Sequence, residues 1–432
     1  MDVGNHYVRE RAENATAVTF VELFFDLVYV FAVTQISHLL LGDLSWHGAF
    51  HAALVLLAMW QAWMYSTWMT NWLDPEALPV RAVLIAAMLV SLVAAGSVPG
   101  AFGERGLWFA GSYVVMQIGR TLAVLWLSRR DPALRRTFQR ITCWLAVSGT
   151  LWIAGGCAHG AARDLLWLAA VGTDNLAPLT GFWVPALGKS GTEDRVITGS
   201  HMAERCHLFV IIALGESIVV TGSTFAAHPP GVAALLALVT AFLGSVALWW
   251  IYFDRSAHFG AQAIAASDDP ARIGRTAYTY LHIPMIAGII VAAVADELTI
   301  AAPQRTMTTV TATVMLAGPA LFLARHLLSQ RTVAGTWARS RLAGLAALLL
   351  LVPVAVVTDR IALSFLTTLT VIGVAASDTI HGREREAPHG TPAAPAQDAV
   401  PRPAAARGSL AAASPVPRRL APPADRKDLH GQ

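Results

Sequence analysis

The sequence predicts an all-α, polytopic integral membrane protein of about twelve transmembrane helices, on three observations. The 432 residues are 55% hydrophobic and only 14% charged, whereas roughly a quarter of a soluble domain is charged. Mean hydropathy is +0.53. Stretches of the roughly 20 apolar residues needed to cross a bilayer core recur along most of the chain. The same composition excludes other classes. With 31 Lys and Arg against 28 Asp and Glu the formal charge is +3, too small for the basic surface that a nucleic-acid partner requires. Cys143, Cys157 and Cys206 are an odd set without C-x-x-C spacing, so they read as small apolar fillers rather than redox or zinc residues.

Taken in order, the spans are expected at residues 20–41, 48–69, 80–98, 107–128, 138–157, 165–187, 206–226, 230–253, 276–299, 306–328, 337–357 and 360–380. The first follows a short segment, residues 1–19, and carries Glu22 and Asp26 at its start. A signal peptide needs an uninterrupted apolar stretch there, so this span is expected to be retained. The sixth is the weakest. Its VGTDNLAPLTGFWVP run sets Gly172, Pro178, Gly181 and Pro185 around Asp174 and Asn175, as a discontinuous helix lining a cavity would. The alternative is a partial loop in which Asp174 is hydrated. Beyond residue 381 lie nine of the chain's 22 prolines with no apolar periodicity, so residues 382–432 read as a disordered Pro/Ala/Arg-rich cytoplasmic tail.

Orientation follows from the bases in the connections. Assigned to alternate faces, they fall eighteen to four even without the tail; the minority are Arg105, Arg163, Arg305 and Arg360, and Arg120 lies within a span. The positive-inside rule then puts both termini in the cytoplasm and requires an even number of crossings. A faint duplication relates the halves, residues 20–187 and 204–381. Glu22 opens the first span and Asp74 closes the second, while Glu204 opens the seventh and Asp254 closes the eighth. Two six-helix repeats would produce that spacing.

Ionisable groups at membrane depth cost at least about 2.5 to 3.5 kcal/mol near the centre, so each marks a possible site. Glu22, Asp26 and Tyr29 share one face of the first span, because residues three and four apart are helical neighbours. Asp26 and Arg120 both lie roughly 9 to 12 Å below the cytoplasmic ends of their spans at about 1.5 Å per residue, so the two are expected to form a gating ion pair. Glu216, with Gly215 and Ser217 beside it, falls near the midplane and is the expected proton or cation site. Asp174, Asn175 and His282 complete the candidate ion-binding set. His282 could relay protons or simply bond a backbone carbonyl. His201, Glu204 and His207 spread over a broad arc and do not match H-E-x-x-H, so no metal site is expected there. Tryptophans such as Trp68, Trp72, Trp249 and Trp250 crowd span ends as an interfacial belt. No P-loop, G-x-S-x-G or H-E-x-x-H motif occurs, so neither an enzyme nor a cofactor is expected.

At VELFFDLVYVFAVTQISHLL, residues 21–40, the chain resembles the bacterial low temperature requirement protein A (LtrA) family, named for a growth phenotype in the cold. ERCHLFVIIALGESI at 204–218, WWIYFD at 249–254 and YLHIPMIAGII at 280–290 extend the resemblance over roughly residues 18–380. It implies a multi-pass protein of the bacterial cytoplasmic membrane. A weaker similarity, to lysosomal-type potassium channels with two six-helix repeats, rests on Phe24-Phe25-Asp26, where those channels carry Phe-Ser-Asp. Four intramembrane acids against one base favour a secondary transporter or permease for a cation or a proton-coupled solute. The alternatives are a non-transporting membrane scaffold or cold-adaptation factor, and a cation channel. The lipid bilayer is the expected partner; the solute and the oligomeric state are left open.

Overall fold

The computed structural model describes residue 7 and residues 18–189, 199–229, 231–256 and 275–386. Twelve α-helices run through them: α1 (Phe20–Gly42), α2 (Trp46–Trp72), α3 (Leu78–Ser97), α4 (Gly106–Leu127), α5 (Pro132–Cys157), α6 (Ala161–Leu179), α7 (Gly199–Ala227), α8 (Val232–Ile251), α9 (His282–Ala301), α10 (Thr309–Ala334), α11 (Arg339–Val354) and α12 (Arg360–Glu386). One helix falls on each expected span. Among the described residues there is no strand, only isolated bridges at Val184–Gly188 and Thr306–Asp359. The chain divides into Met1–Glu384 and Arg385–Gln432; the first holds every site described below. The expected tail, apart from the end of α12, lies outside the described residues, as does most of the N-terminal segment.

Local chemistry sets the starts. Thr19 and Glu22 form a capping box at α1, the Thr19 N–H donating to Glu22 Oε2 at 3.0 Å. Ser45 accepts from the Gly48 N–H at α2 (3.1 Å) and Asp131 from the Leu134 N–H at α5 (3.0 Å); such caps satisfy donors that the helix itself cannot.

The exterior is as apolar as the core, unlike that of a soluble bundle. On α8, Leu235, Leu236, Val239, Phe242 and Leu243 are exposed, while Ala234, Ala237, Thr240, Ala241 and Ser245 are buried. On α1, Phe24, Leu27 and Phe31 face outward and Glu22, Asp26 and Ser37 inward. Apolar side chains outside and small or polar ones between helices are what lipid as solvent selects. Seven helices, α1, α3, α7, α8, α9, α10 and α12, are long and apolar enough to cross a membrane. The other five fall short for identifiable reasons: α2 carries five tryptophans, and α11 has 16 residues.

Four helix pairs of the first half have counterparts in the second, although the close α5·α6 pairing is not matched at α11·α12. The pairs α1·α2, α1·α3, α3·α4 and α4·α5 correspond to α7·α8, α7·α9, α9·α10 and α10·α11, and α1 packs on α7 between them. At the α9·α10 crossing the two backbones approach closely. A Cβ on Gly288 would stand 2.8 Å from the Gly318 carbonyl oxygen, and one on Gly318 would stand 2.7 Å from the Ala292 nitrogen.

Three expectations are corrected. The sixth helix is not discontinuous: α6 runs unbroken through Gly172, Asp174 and Asn175 and ends at Leu179, with Pro178 in its last turn. Pro178 has no N–H to donate to the Asp174 carbonyl four residues earlier, and Gln61 Nε2 donates to that carbonyl instead at 2.9 Å. The reversal follows instead, with positive φ at Gly181, Phe182, Ala186 and Gly188. Second, α7 starts at Gly199 rather than 206, because polar residues in its first turns depress a hydropathy window without breaking a helix. Third, several bases assigned to connections are buried in the bundle. Arg163 donates to the carbonyls of Gly155, Ala158, Ala101 and Gly103, Arg360 to that of Leu298, Arg325 to that of Leu281 and Arg140 to that of Leu187. Arginines of this kind serve the unpaired carbonyls of helix ends.

Candidate functional site

Three polar clusters lie inside the bundle. The first joins α1, α2 and α7. Asp26 Oδ1 accepts from Trp63 Nε1 at 2.7 Å and from Arg205 at 2.8 Å, while Glu22 Oε1 is 3.0 Å from His201 Nε2 and 3.8 Å from Arg205. Asn71 Nδ2 reaches the other nitrogen of His201 at 3.3 Å. Glu22, Asp26, His201 and Arg205 are all at most 1% exposed. His201 and Arg205 are four apart on α7 and face the equally spaced Glu22 and Asp26 on α1, so two helical ladders mesh.

Asp26 therefore pairs with Arg205 and not with the expected Arg120. Depth was compatible with the Arg120 pairing, but the face of α4 that carries Arg120 packs on α2. There Arg120 donates to the Ala62 carbonyl (3.0 Å), Ser66 Oγ (2.9 Å) and Gln117 Oε1 (2.5 Å). Arg205 precedes the apolar run of the seventh expected span, which begins at 206, so hydropathy alone leaves it outside the membrane set. The i, i+4 spacing of His201 and Arg205, one turn before the apolar run, was the signal that could have found it.

The second cluster surrounds Asp174. Its Oδ2 accepts from Tyr113 Oη (2.8 Å) and Trp152 Nε1 (3.0 Å), and Gln117 Nε2 donates to Tyr113 Oη (3.0 Å). A chain of side chains thus runs from Asp174 through Tyr113 and Gln117 to Arg120. Asp174 is buried, 3% exposed, rather than hydrated. Asn175 lies beside it but turns to its own helix, Nδ2 donating to the Val171 carbonyl at 2.9 Å.

Glu216 centres the third. It is 0% exposed, and neither carboxylate oxygen has a donor in hydrogen-bonding geometry; the Ser37 hydroxyl of α1 and Oε2 of Glu297 on α9 likewise have none. Thr34, Ser37 and Glu297 are its polar surroundings. The next residue, Ser217, lines a cavity of about 40 Å³ walled by α7, α8, α9, α10 and α12, with Asp296, Ser245, Ser364, Thr367 and Thr368 presenting oxygen atoms to it. A water needs roughly 10 to 15 Å³ of such space, so about three fit.

A family model described as bacterial low temperature requirement A protein (LtrA) matches residues 17–376. The chain belongs to the LtrA family. An uncharacterized protein of Rhizobium meliloti (strain 1021) is 40% identical to it over 320 residues, covering 74% of this chain and 78% of the relative. No solved structure matches.

The four stretches that carry the LtrA resemblance meet in space. Glu22 and Asp26 of the first contact Arg205 of the second. Tyr29 and Phe209, from the same two stretches, stand with ring centroids 6.3 Å apart. Tyr252 of the third lies 3.0 Å from His282 Nε2 of the fourth through its hydroxyl. His282 is 2% exposed, lies parallel to the Trp60 ring and is approached by Arg325 of α10 at 3.4 Å. In this LtrA-family fold His282 does not meet Glu216 or Asp174; it locks α9 to the α8 terminus and α10.

Proposed function

We propose that this chain is a secondary transporter of the bacterial cytoplasmic membrane that moves a small cation, or a solute coupled to a proton, with Glu216 as its exchange site. Its twelve helices all cross the bilayer, as two six-helix repeats with both termini cytoplasmic. The observation that carries the reading is the unpartnered Glu216 carboxylate. A buried polar group without a hydrogen bond costs about 1 to 3 kcal/mol, and an ionised one more. A carboxylate kept only to fix helices would be held by donors, as Asp26 and Asp174 each are by two. Glu216 has the hydroxyls of Thr34 and Ser37 near it but no donor in hydrogen-bonding geometry, so it is arranged to receive a proton or a cation.

The cavity beside Ser217 adds Asp296 and several hydroxyls, the hard oxygen donors that suit cations such as Na⁺ or K⁺ better than soft metals. The recurring helix contacts support the repeat reading, and the predominance of bases on one face supports the orientation.

Flux tests the proposal. Proteoliposomes carrying the wild-type protein, supplied with Na⁺, K⁺ or a proton gradient, are expected to show uptake or proton movement above empty vesicles, and Glu216→Gln is expected to lower it at least tenfold. Inert wild-type vesicles, or undiminished flux in Glu216→Gln, would reject it and favour the scaffold reading.

A further inference from the structure

A second set of ligating side chains lies away from Glu216, at the end of the bundle where α1 gives way to α2 and α5 to α6. His47 and His51 stand four residues apart in the first turns of α2, so both imidazoles rise on one side of that helix. Asp164, in the first turn of α6, reaches between them: its Oδ2 is 3.1 Å from His47 Nε2 and its Oδ1 is 3.1 Å from His51 Nε2. All three ligand atoms fall within 4.8 Å of one another. Phe102, in the α3–α4 connection, stacks on the His51 ring at 3.4 Å between centroids and fixes its orientation.

We propose that His47, His51 and Asp164 bind a first-row transition-metal dication, Zn²⁺ foremost. Two imidazole nitrogens and a carboxylate oxygen are the donor set such ions take, at about 2.0 to 2.2 Å from the metal. Donors at that radius stand roughly 3.3 Å from one another around a four-coordinate ion; each imidazole is 3.1 Å from its carboxylate oxygen, and the set lies within 4.8 Å. The opening is asymmetric. His51 and Asp164 are 12% and 18% exposed while His47 is 62% exposed, so the ion would sit on a closed floor and keep a solvent-facing position for water.

The exposed His47 adds little to stability as an ionic contact, about 0 to 1 kcal/mol. A metal would join α2 to α6 at one end of the first helical half. Since α2 also carries Trp63 and Gln61, which bond Asp26 and the Asp174 carbonyl, occupancy would bias the helix that supports both polar clusters. The proposal does not depend on transport.

The test uses the full-length protein in detergent, with any affinity tag removed and metals stripped by chelator. Titration with ZnCl₂ is expected to show one site per chain, weakened at least tenfold in both His51→Ala and Asp164→Asn but unchanged in His159→Ala. Co²⁺ supplies a readout that needs no variant. Intense visible bands of a four- or five-coordinate ion support the site, whereas the pale spectrum of hydrated Co²⁺ overturns it. Equal Zn²⁺ binding by wild type and both variants, or none by the wild type, also overturns it.

Discussion

Arg205 lies 1% exposed between two carboxylates of α1, and its removal leaves Asp26 without its cation and Glu22 with His201 alone. Breaking a buried pair from one side costs about 3 to 5 kcal/mol, so Arg205→Ala is expected to lower the unfolding temperature in detergent more than any single exposed substitution. Asp26 and Arg120 share no hydrogen bond, so Asp26→Asn and Arg120→Ala should combine additively, to within about 0.5 kcal/mol. A coupling well beyond that would restore the pairing that depth alone had predicted. Tyr113→Phe removes one of the two donors to Asp174 Oδ2 and should cost about 1 to 3 kcal/mol by the same thermal assay. The acids themselves were legible as charges inside apolar runs. Their partners were not: Tyr113, Trp63 and Trp152 are unremarkable in a membrane sequence, and only the fold turns their polar tips onto Asp26 and Asp174.

Among the helices, contact is decided by the smallest residues. At the α9·α10 crossing any side chain on Gly288 or Gly318 meets backbone of the other helix below 3.0 Å. Gly288→Ala and Gly318→Ala should therefore each destabilise by about 1 to 3 kcal/mol, as overpacking does. Gly373, on α12, has nothing within 4 Å of an added Cβ, so Gly373→Ala should raise stability by about 0.5 to 1 kcal/mol through helix propensity. Melting temperatures of the three variants check both signs. The positions of all twelve helices could be read from apolar runs, but their ends could not. A hydropathy window stops at His201, Glu204 and Arg205, while the helix continues through them and the side chains of His201 and Arg205 find partners on α1 and α2. The Gly and Pro residues near Asp174 misled in the opposite sense, since they end α6 just beyond the acid rather than break it there.

Over the described residues the exterior is apolar and polar groups are set into an apolar core, most of them paired; under the proposed function Glu216 is held for exchange. Twelve crossings require a reporter fused after Glu386 to be cytoplasmic and one inserted at residues 228–231 to be external; an external tail would reject the even count. The His47, His51 and Asp164 set could not be read from the sequence, because α2 and α6 are brought together only by tertiary packing. The unpartnered state of Glu216 was equally hidden, although its depth was not. Infrared difference spectroscopy of the protein in lipid, recorded on adding the transported cation, tests its role most directly. If Glu216 exchanges a proton for a cation, the carbonyl band of a protonated carboxyl disappears on cation addition in the wild type, and Glu216→Gln lacks that band. A difference spectrum identical in wild type and Glu216→Gln would contradict the account.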